Sequence, residues 1–232
     1  MFFDPRALFV LVPPILAAGL AHWWTRRVFR EASQLLTWSG ATGSESASAV
    51  LNGAGICGVF IEEVPGQHLD HYAPAEQGVL LRPEVHDGAT LTAVGIAGHE
   101  AAHAIQDADK HPLLAARTFI VLAATCGSLI GMLLFVGGFL LLESFLVYLG
   151  IGVFTVTVLA QLFNLTVEFD ANRRAMPLLL AAGVITPAEE LGIRRVMQAA
   201  AWTYVAATLT CIPTAYFYLV KPRRRVRDKK LA

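Results

Sequence analysis

Three stretches of the chain, 118–142, 144–167 and 198–220, contain no Lys, Arg, Asp, Glu or His. Each is long enough for the roughly 20 residues a helix needs to cross a hydrocarbon core. A fourth apolar stretch, 7–24, carries Pro13 and Pro14 and ends in His22, Trp23 and Trp24, just ahead of Arg26, Arg27 and Arg30. Aromatic side chains followed by basic ones suit the water–lipid boundary. Small residues from Ala17 to Ala21 would also fit the end of a cleaved signal peptide. The basic charge follows the apolar stretch instead of preceding it, however, so a retained anchor is expected. One helix through 118–167 would be roughly 75 Å long, against a hydrocarbon thickness of about 30 Å. The chain is therefore expected to turn at Glu143. Two crossings return it to its starting face, with Arg117 and Glu168 on the same side.

The polar region between the first two spans, 25–117, is long enough for a small domain. Thr42 or Ser44 can cap a short helix running towards Asn52, and 58–64 and 78–82 read as short strands, with Pro74 to Gln77 as turn residues after Asp70, His71 and Tyr72. Thr90 or Thr92 then opens a helix through His99 and His103 to about Asp107, closed by His111 and Pro112. In the later polar segment, 168–197, Thr186-Pro187-Ala188-Glu189 is a capping box with proline at the first helical position, so a helix is expected to run from there into the last span.

Composition agrees with this pattern. The chain is 55% hydrophobic and 16% charged, too apolar for an ordinary soluble domain, and a bilayer is the expected solvent. Net charge is zero and the one strongly basic run lies in the tail, 221–232, which argues against nucleic acid as a partner. Cys57, Cys126 and Cys211 are scattered and unpaired in sequence, which excludes a disulfide framework and a thiolate metal site; they read as small buried hydrophobes.

The chemistry is concentrated in His99-Glu100-Ala101-Ala102-His103. On a helix, residues i and i+4 share a face, so the two imidazoles can grip one metal ion while Glu100 reaches a water on it. Zinc accepts such ligands and lowers the pKa of a bound water from about 15.7 to about 7. Glu100 would then act as catalytic base in peptide hydrolysis. The flanking residues are apolar nearly all round the helix, a setting in which ionisable groups need a partner. A catalytic zinc needs a third protein ligand. Glu168 is the leading candidate, because it ends an apolar span on the His99 side of the membrane; the competing reading pairs it with Arg173, Arg174 or water. Asn172, one turn further on, can support a ligand by hydrogen bonding. Asp170 and Arg174 are spaced as an ion pair. His71 and Tyr72 are candidate donors to a developing oxyanion, and His22, His68, His86 and His111 read as surface or interface residues.

Several blocks resemble the YugP-type neutral zinc metallopeptidases of bacterial membranes: Gly40-Ala41-Thr42-Gly43, Asp70-His71-Tyr72, the run from Val94 to Gln106, and the run from Val167 to Ala175. The resemblance implies zinc on His99, His103 and Glu168, with Glu100 as base, and kinship with HtpX-type membrane proteases, whose third ligand is also a Glu on a later helix. Ala102 stands where that family commonly has Gly, and Asn172 stands where the HtpX-type pattern has Asp. An amide there orients a ligand without adding negative charge.

The expected protein is thus mainly α and integral to the membrane. About four transmembrane helices (7–24, 118–142, 144–167, 198–220) surround a small α+β zincin-like domain at 25–117, inserted between the first and second; a loop and helix at 168–197 carry the third ligand. Basic residues nearly balance across the membrane, and the flanks of the first span together with the HtpX-type analogy favour a cytoplasmic site. Zn2+ is the expected cofactor. The expected partners are the lipid bilayer and a polypeptide substrate that is itself a membrane protein, held extended by an edge strand such as 58–64. The alternative is a non-catalytic membrane scaffold with a structural zinc site.

Overall fold

The computed structural model describes residues 5–65, 69–111, 117–141, 143–199 and 201–202. Its elements in chain order are α1 (Pro5–Ala32), α2 (Gly43–Gly53), β1 (Phe60–Glu63), β2 (His71–Ala73), β3 (Gly78–Leu81), α3 (Pro83–His86), α4 (Leu91–Ala108), α5 (Arg117–Leu140) and α6 (Ser144–Ala181), with a further helical stretch at 190–199. The protein is mainly helical with one small sheet. The chain forms two compact units, whose boundaries fall inside α1 and α6. One unit takes the start of α1, α5 and α6 up to Leu165. The other takes 23–116 and 166–202, so the helical segment bearing Glu168 belongs to the same unit as the His99 helix.

In that second unit the local signals act as the sequence suggests. Thr42, not Ser44, caps α2 with both arms of a capping box: Glu45 N donates to Thr42 Oγ1 (3.2 Å) and Thr42 N donates to Glu45 Oε2 (2.8 Å). Helix α2 buries Gly43, Ser46, Ala47, Val50 and Leu51, a single face at helical spacing. Thr90 caps α4, accepting from Ala93 N. The sheet order is β1-β3-β2, with β1 parallel and β2 antiparallel to β3. The expected strands at 58–64 and 78–82 correspond to β1 and β3, and β2 is additional. Asp70 fixes its start: the carboxylate accepts from Arg82 N (2.7 Å) and from the Arg82 guanidinium (2.7 and 3.0 Å), stitching the entry of β2 to the exit of β3.

Helix α4 is the centre of this unit, with 13 of its 18 residues buried. Small residues let its backbone come close to α6. A Cβ on Gly98 would stand 3.1 Å from Leu179 Cδ1, and Ala97, Ala101, Ala171, Ala175 and Leu179 are all 0% exposed. Dense packing of this kind holds the two helices in one register.

In the first unit, α5 and α6 also meet through glycine. A Cβ on Gly150 would lie 2.8 Å from Phe135 N and 2.9 Å from Gly131 O, the close backbone approach typical of helices in lipid. Helix α5 ends at Leu140 and α6 begins at Ser144, directly after Glu143. Among the described residues one helix, α6, is long and apolar enough to cross a membrane, with a mean hydropathy of 2.0 over its best window.

Three expectations change. The segment read as a span at 144–167 and a separate loop and helix from 168 is one continuous helix to Ala181, with Pro177 inside it, because nothing between Val167 and Asn172 interrupts the backbone ladder. The helix after Thr186 begins at 190. Cys57 and Cys126 are exposed, not buried. Cys211, His68 and Pro112, the tail at 221–232 and nearly all of the span expected at 198–220 lie outside the described residues.

Candidate active site

Helix α4 places His99, Glu100 and His103 together, with potential ligand atoms of all three within 4.8 Å of one another. The two imidazoles are edge to face, ring centroids 4.7 Å apart and planes at 78°, as residues one helical turn apart can be when both reach for a common point. Gly95 and Gly98 lie on the turn before them, where Gly98 faces Leu179 of α6 and Gly95 faces Ile193 and Val196. A Cβ at Gly98 would crowd Leu179 at 3.1 Å, whereas one at Gly95 would meet ordinary contacts at 3.5 Å.

That helix brings Glu168 to the same point. Its Oε2 is 3.0 Å from His99 Nε2 and its Oε1 is 4.0 Å from His103 Nε2. Both groups are deeply buried, Glu168 at 4% and His103 at 0% exposure. For a tetrahedral zinc with bonds of about 2.0–2.2 Å, neighbouring ligand atoms should be about 3.4 Å apart, and the two observed separations bracket that value. Two imidazole nitrogens and a carboxylate are also the donor set that zinc prefers in an open, catalytic site, so these residues fit the metal.

Each imidazole is held from behind by an amide oxygen. His99 Nδ1 donates to Asn172 Oδ1 at 2.8 Å, and His103 Nδ1 donates to Gln106 Oε1 at 2.8 Å. Asn172 Nδ2 in turn donates to Met197 O, and Gln106 Nε2 donates to Val167 O and Asp170 Oδ2, both at 2.9 Å. Asp170 also accepts from Arg174 Nε (2.6 Å) and Arg173 Nη2 (3.1 Å), and Arg174 reaches Asp109. Asn172 therefore stands against His99, and Asp170, besides pairing with Arg174, supports His103 through Gln106. Sequence reasoning missed Gln106. The sequence shows there only a polar residue one turn after a histidine in an apolar helix, and its partners Val167 and Asp170 lie on α6.

Glu100 is 8% exposed, and its Oε2 accepts from Tyr72 N at 3.1 Å, so strand β2 lies directly against the carboxylate. The side chain of Tyr72, a candidate oxyanion donor, is engaged elsewhere in this structure. Strand alternation turns its ring inward, its hydroxyl donates to Asp107 Oδ2 (2.8 Å), and burial followed by the Asp107 contacts pushes the phenol well above its usual range. His71, on the opposite face of the strand, turns Nδ1 to Leu69 O at 2.8 Å, an engagement local to the strand entry.

Burial disfavours a charged His99, but the Glu168 carboxylate more than offsets this, with smaller help from Glu100 and Asn172. The imidazole is pushed up to about 9 from 6.5. A second group, Glu63, His86 and Asp87, also places ligand atoms within 4.8 Å of one another, but it is exposed in part and His86 Nδ1 is already 2.6 Å from Asp87 Oδ1. A cavity of about 420 Å³ is lined by Phe169, Asn172, Met176, Arg194 and Met197, among others. His99, Glu100, His103 and Glu168 are not among its lining residues, although Asn172, which bonds to His99, is.

Comparison with known proteins agrees with this geometry. Residues 7–221 match the family described as "Putative neutral zinc metallopeptidase". The chain is similar to the "Putative membrane protease YugP" of Bacillus subtilis (strain 168), 38% identical over 201 residues, covering 85% of this chain and 89% of that protein. No solved structure matches the chain.

Proposed function

Because the chain belongs to the neutral zinc metallopeptidase family, we propose that it is a membrane-embedded zinc endopeptidase that cuts polypeptides at or near the bilayer surface. In this reading His99, His103 and Glu168 hold the zinc and Glu100 is the catalytic base. The observation that carries it is the convergence of His99 Nε2, His103 Nε2 and the Glu168 carboxylate beside a buried Glu100.

Bound zinc supplies a Lewis acid for the scissile carbonyl and acidity for the attacking water. The chain's own residues supply the rest. Tyr72 N holds the Glu100 carboxylate in a fixed orientation, so that it can take a proton from the water and deliver it to the leaving amine. The amide oxygens behind both imidazoles fix the tautomer that turns a bare Nε2 inward. The edge at 58–64 was the sequence-based choice for holding substrate main chain and corresponds to the β1 edge; the other edge, β2, lies against Glu100, but its Tyr72 N–H is already given to that carboxylate.

The membrane setting is supported by outward apolar side chains on both long helices of the first unit, among them Leu129, Leu133 and Leu140 on α5 and Phe145, Val156 and Phe163 on α6. We assign about four crossings, with the active site on the cytoplasmic side as the flanks of the first span favour, and a membrane-protein substrate. No observation favours the scaffold alternative, which gives no role to a buried carboxylate beside the ligands.

The test is zinc content and hydrolysis of a membrane-protein substrate, with the full chain in lipid. One zinc per chain in wild type and Glu100→Gln, little in His99→Ala and Glu168→Ala, and no hydrolysis by Glu100→Gln are expected. Zinc retained by Glu168→Ala removes it as third ligand, and full activity of Glu100→Gln leaves the proposed chemistry without its base.

A further inference from the structure

Gln106 is 0% exposed and makes three hydrogen bonds that point in different directions. Its Nε2 faces the Val167 carbonyl and the Asp170 carboxylate. A carbonyl only accepts, and a carboxylate held by two arginines is ionised and only accepts. A flipped amide would set its oxygen against both, so Oε1 must face His103. Nδ1 of His103 is then the donor, and its Nε2 carries the lone pair that a metal requires.

We infer that Gln106 is a positioning residue for the metal centre, holding His103 in its metal-competent tautomer and tying that imidazole to the turn of α6 that carries Glu168. The inference rests on the ligand assignment above and goes beyond it. Gln106 bonds to the main chain at Val167, the residue before Glu168, and to Asp170, two residues after it. One side chain therefore sets the ring of one ligand and the local position of another. Through Asp170 and Arg174 the connection runs out to Asp109 at the end of α4, so a small surface network ends on the ring of His103.

The test is zinc affinity of the detergent-purified full chain, by competition with a chelator, read beside thermal unfolding of the metal-free protein. Gln106→Met fills the space without polar atoms and should weaken zinc binding about 10- to 100-fold. Gln106→Glu should also weaken it, because two carboxylates would meet where a 2.9 Å hydrogen bond now lies. Adding Asp170→Asn should restore part of the loss, since the new amide can donate to the second oxygen of the new carboxylate while the first still accepts from His103; what remains is that carboxylate against the Val167 carbonyl.

A purely structural role would lower thermal stability without changing the zinc constant and would show no such rescue. Wild-type affinity in Gln106→Met, or a double variant no better than Gln106→Glu, overturns the inference. Should these variants fail to fold, nitrogen NMR of histidine-labelled, zinc-loaded wild type decides: a proton on Nδ1 of His103 supports the inference, and one on Nε2 overturns it. Zinc retained by His103→Ala, or absent from wild type, instead overturns the ligand assignment, and the inference falls with it.

Discussion

His99 Nε2 lies 3.0 Å from Glu168 Oε2, so under the proposed ligand set a proton shared by the two groups competes with zinc. This makes both stability and metal affinity depend on pH in opposite senses. The folded-state value of His99 is raised, from 6.5 to about 9, by a carboxylate that outweighs burial. A raised value contributes stability that is fully present below 6.5 and is lost as pH rises through about 9. The metal-free protein should therefore become less stable across that window, while the zinc-loaded protein, in which the proton has been displaced, should not. Zinc uptake should release a proton, and the zinc constant should tighten by roughly tenfold per pH unit up to that value. Thermal unfolding with and without chelator, and calorimetry in buffers of different ionisation enthalpy, measure the two effects. A flat zinc constant between pH 6.5 and 9 would show that His99 binds no such proton.

Tyr72→Phe separates two roles for a tyrosine beside the reaction centre. Its hydroxyl is spent on Asp107, so removing it should cost about 0.5–1.5 kcal/mol of stability. The backbone N–H that holds Glu100 is untouched, so zinc affinity and kcat should stay within about twofold of wild type. A loss of kcat by about a hundredfold or more would instead place the hydroxyl on the oxyanion.

Much of the site is legible in the sequence because it depends on short-range periodicity. Two histidines four apart in an apolar helix share a face whatever the rest of the chain does. Asn172 follows from the same helical spacing, counted from Glu168. Gln106 does not, because its role exists only once α6 brings Val167 and Asp170 beside α4, a contact that no local pattern encodes. Strand β2 is hidden for another reason. At three residues it is too short for alternation to show, and it is fixed by the pairing of Asp70 with Arg82 across β3. The same shortness hides the inward orientation of Tyr72, which follows from the strand. Cys126 misleads because hydrophobic surroundings in sequence do not separate an inward-facing side chain from an outward-facing one.

Gly43 is required by close approach, not by backbone conformation. A Cβ there would stand 2.0 Å from the Val85 carbonyl oxygen and 3.0 Å from its carbon, and backbone cannot swing aside as a side chain can. Gly43→Ala should destabilise by about 1–3 kcal/mol or more by forcing α2 away from α3. Gly19→Ala, with nothing within 4 Å of the new methyl, is the matched control and should not destabilise. Chemical denaturation in one detergent compares them, and equal midpoints would mean that α2 sits less closely on α3 than described.

Glu189 joins two distant segments through one carboxylate. Its Oε2 accepts from Thr186 N (2.8 Å) and Thr186 Oγ1 (2.7 Å), closing the turn before the helix at 190–199, while its Oε1 accepts from Trp38 N (2.6 Å) in the loop after α1. Burial pushes this carboxyl up, but the Thr186 and Trp38 donors outweigh it and hold the group below its usual value of 4.5. A depressed value contributes stability that is present above 4.5 and lost as pH falls through the depressed one. Glu189→Gln turns an amide nitrogen towards one set of donors, so at neutral pH it should cost about 0.5–2 kcal/mol. The difference from wild type should shrink as pH falls from 4.5 through the depressed value, where folded wild type also loses its charge. The comparison is made on metal-free protein at every pH, so that loss of zinc in acid does not enter. A difference that stays constant from neutral pH to below that value would show that the charge on Glu189 contributes nothing to holding the loop.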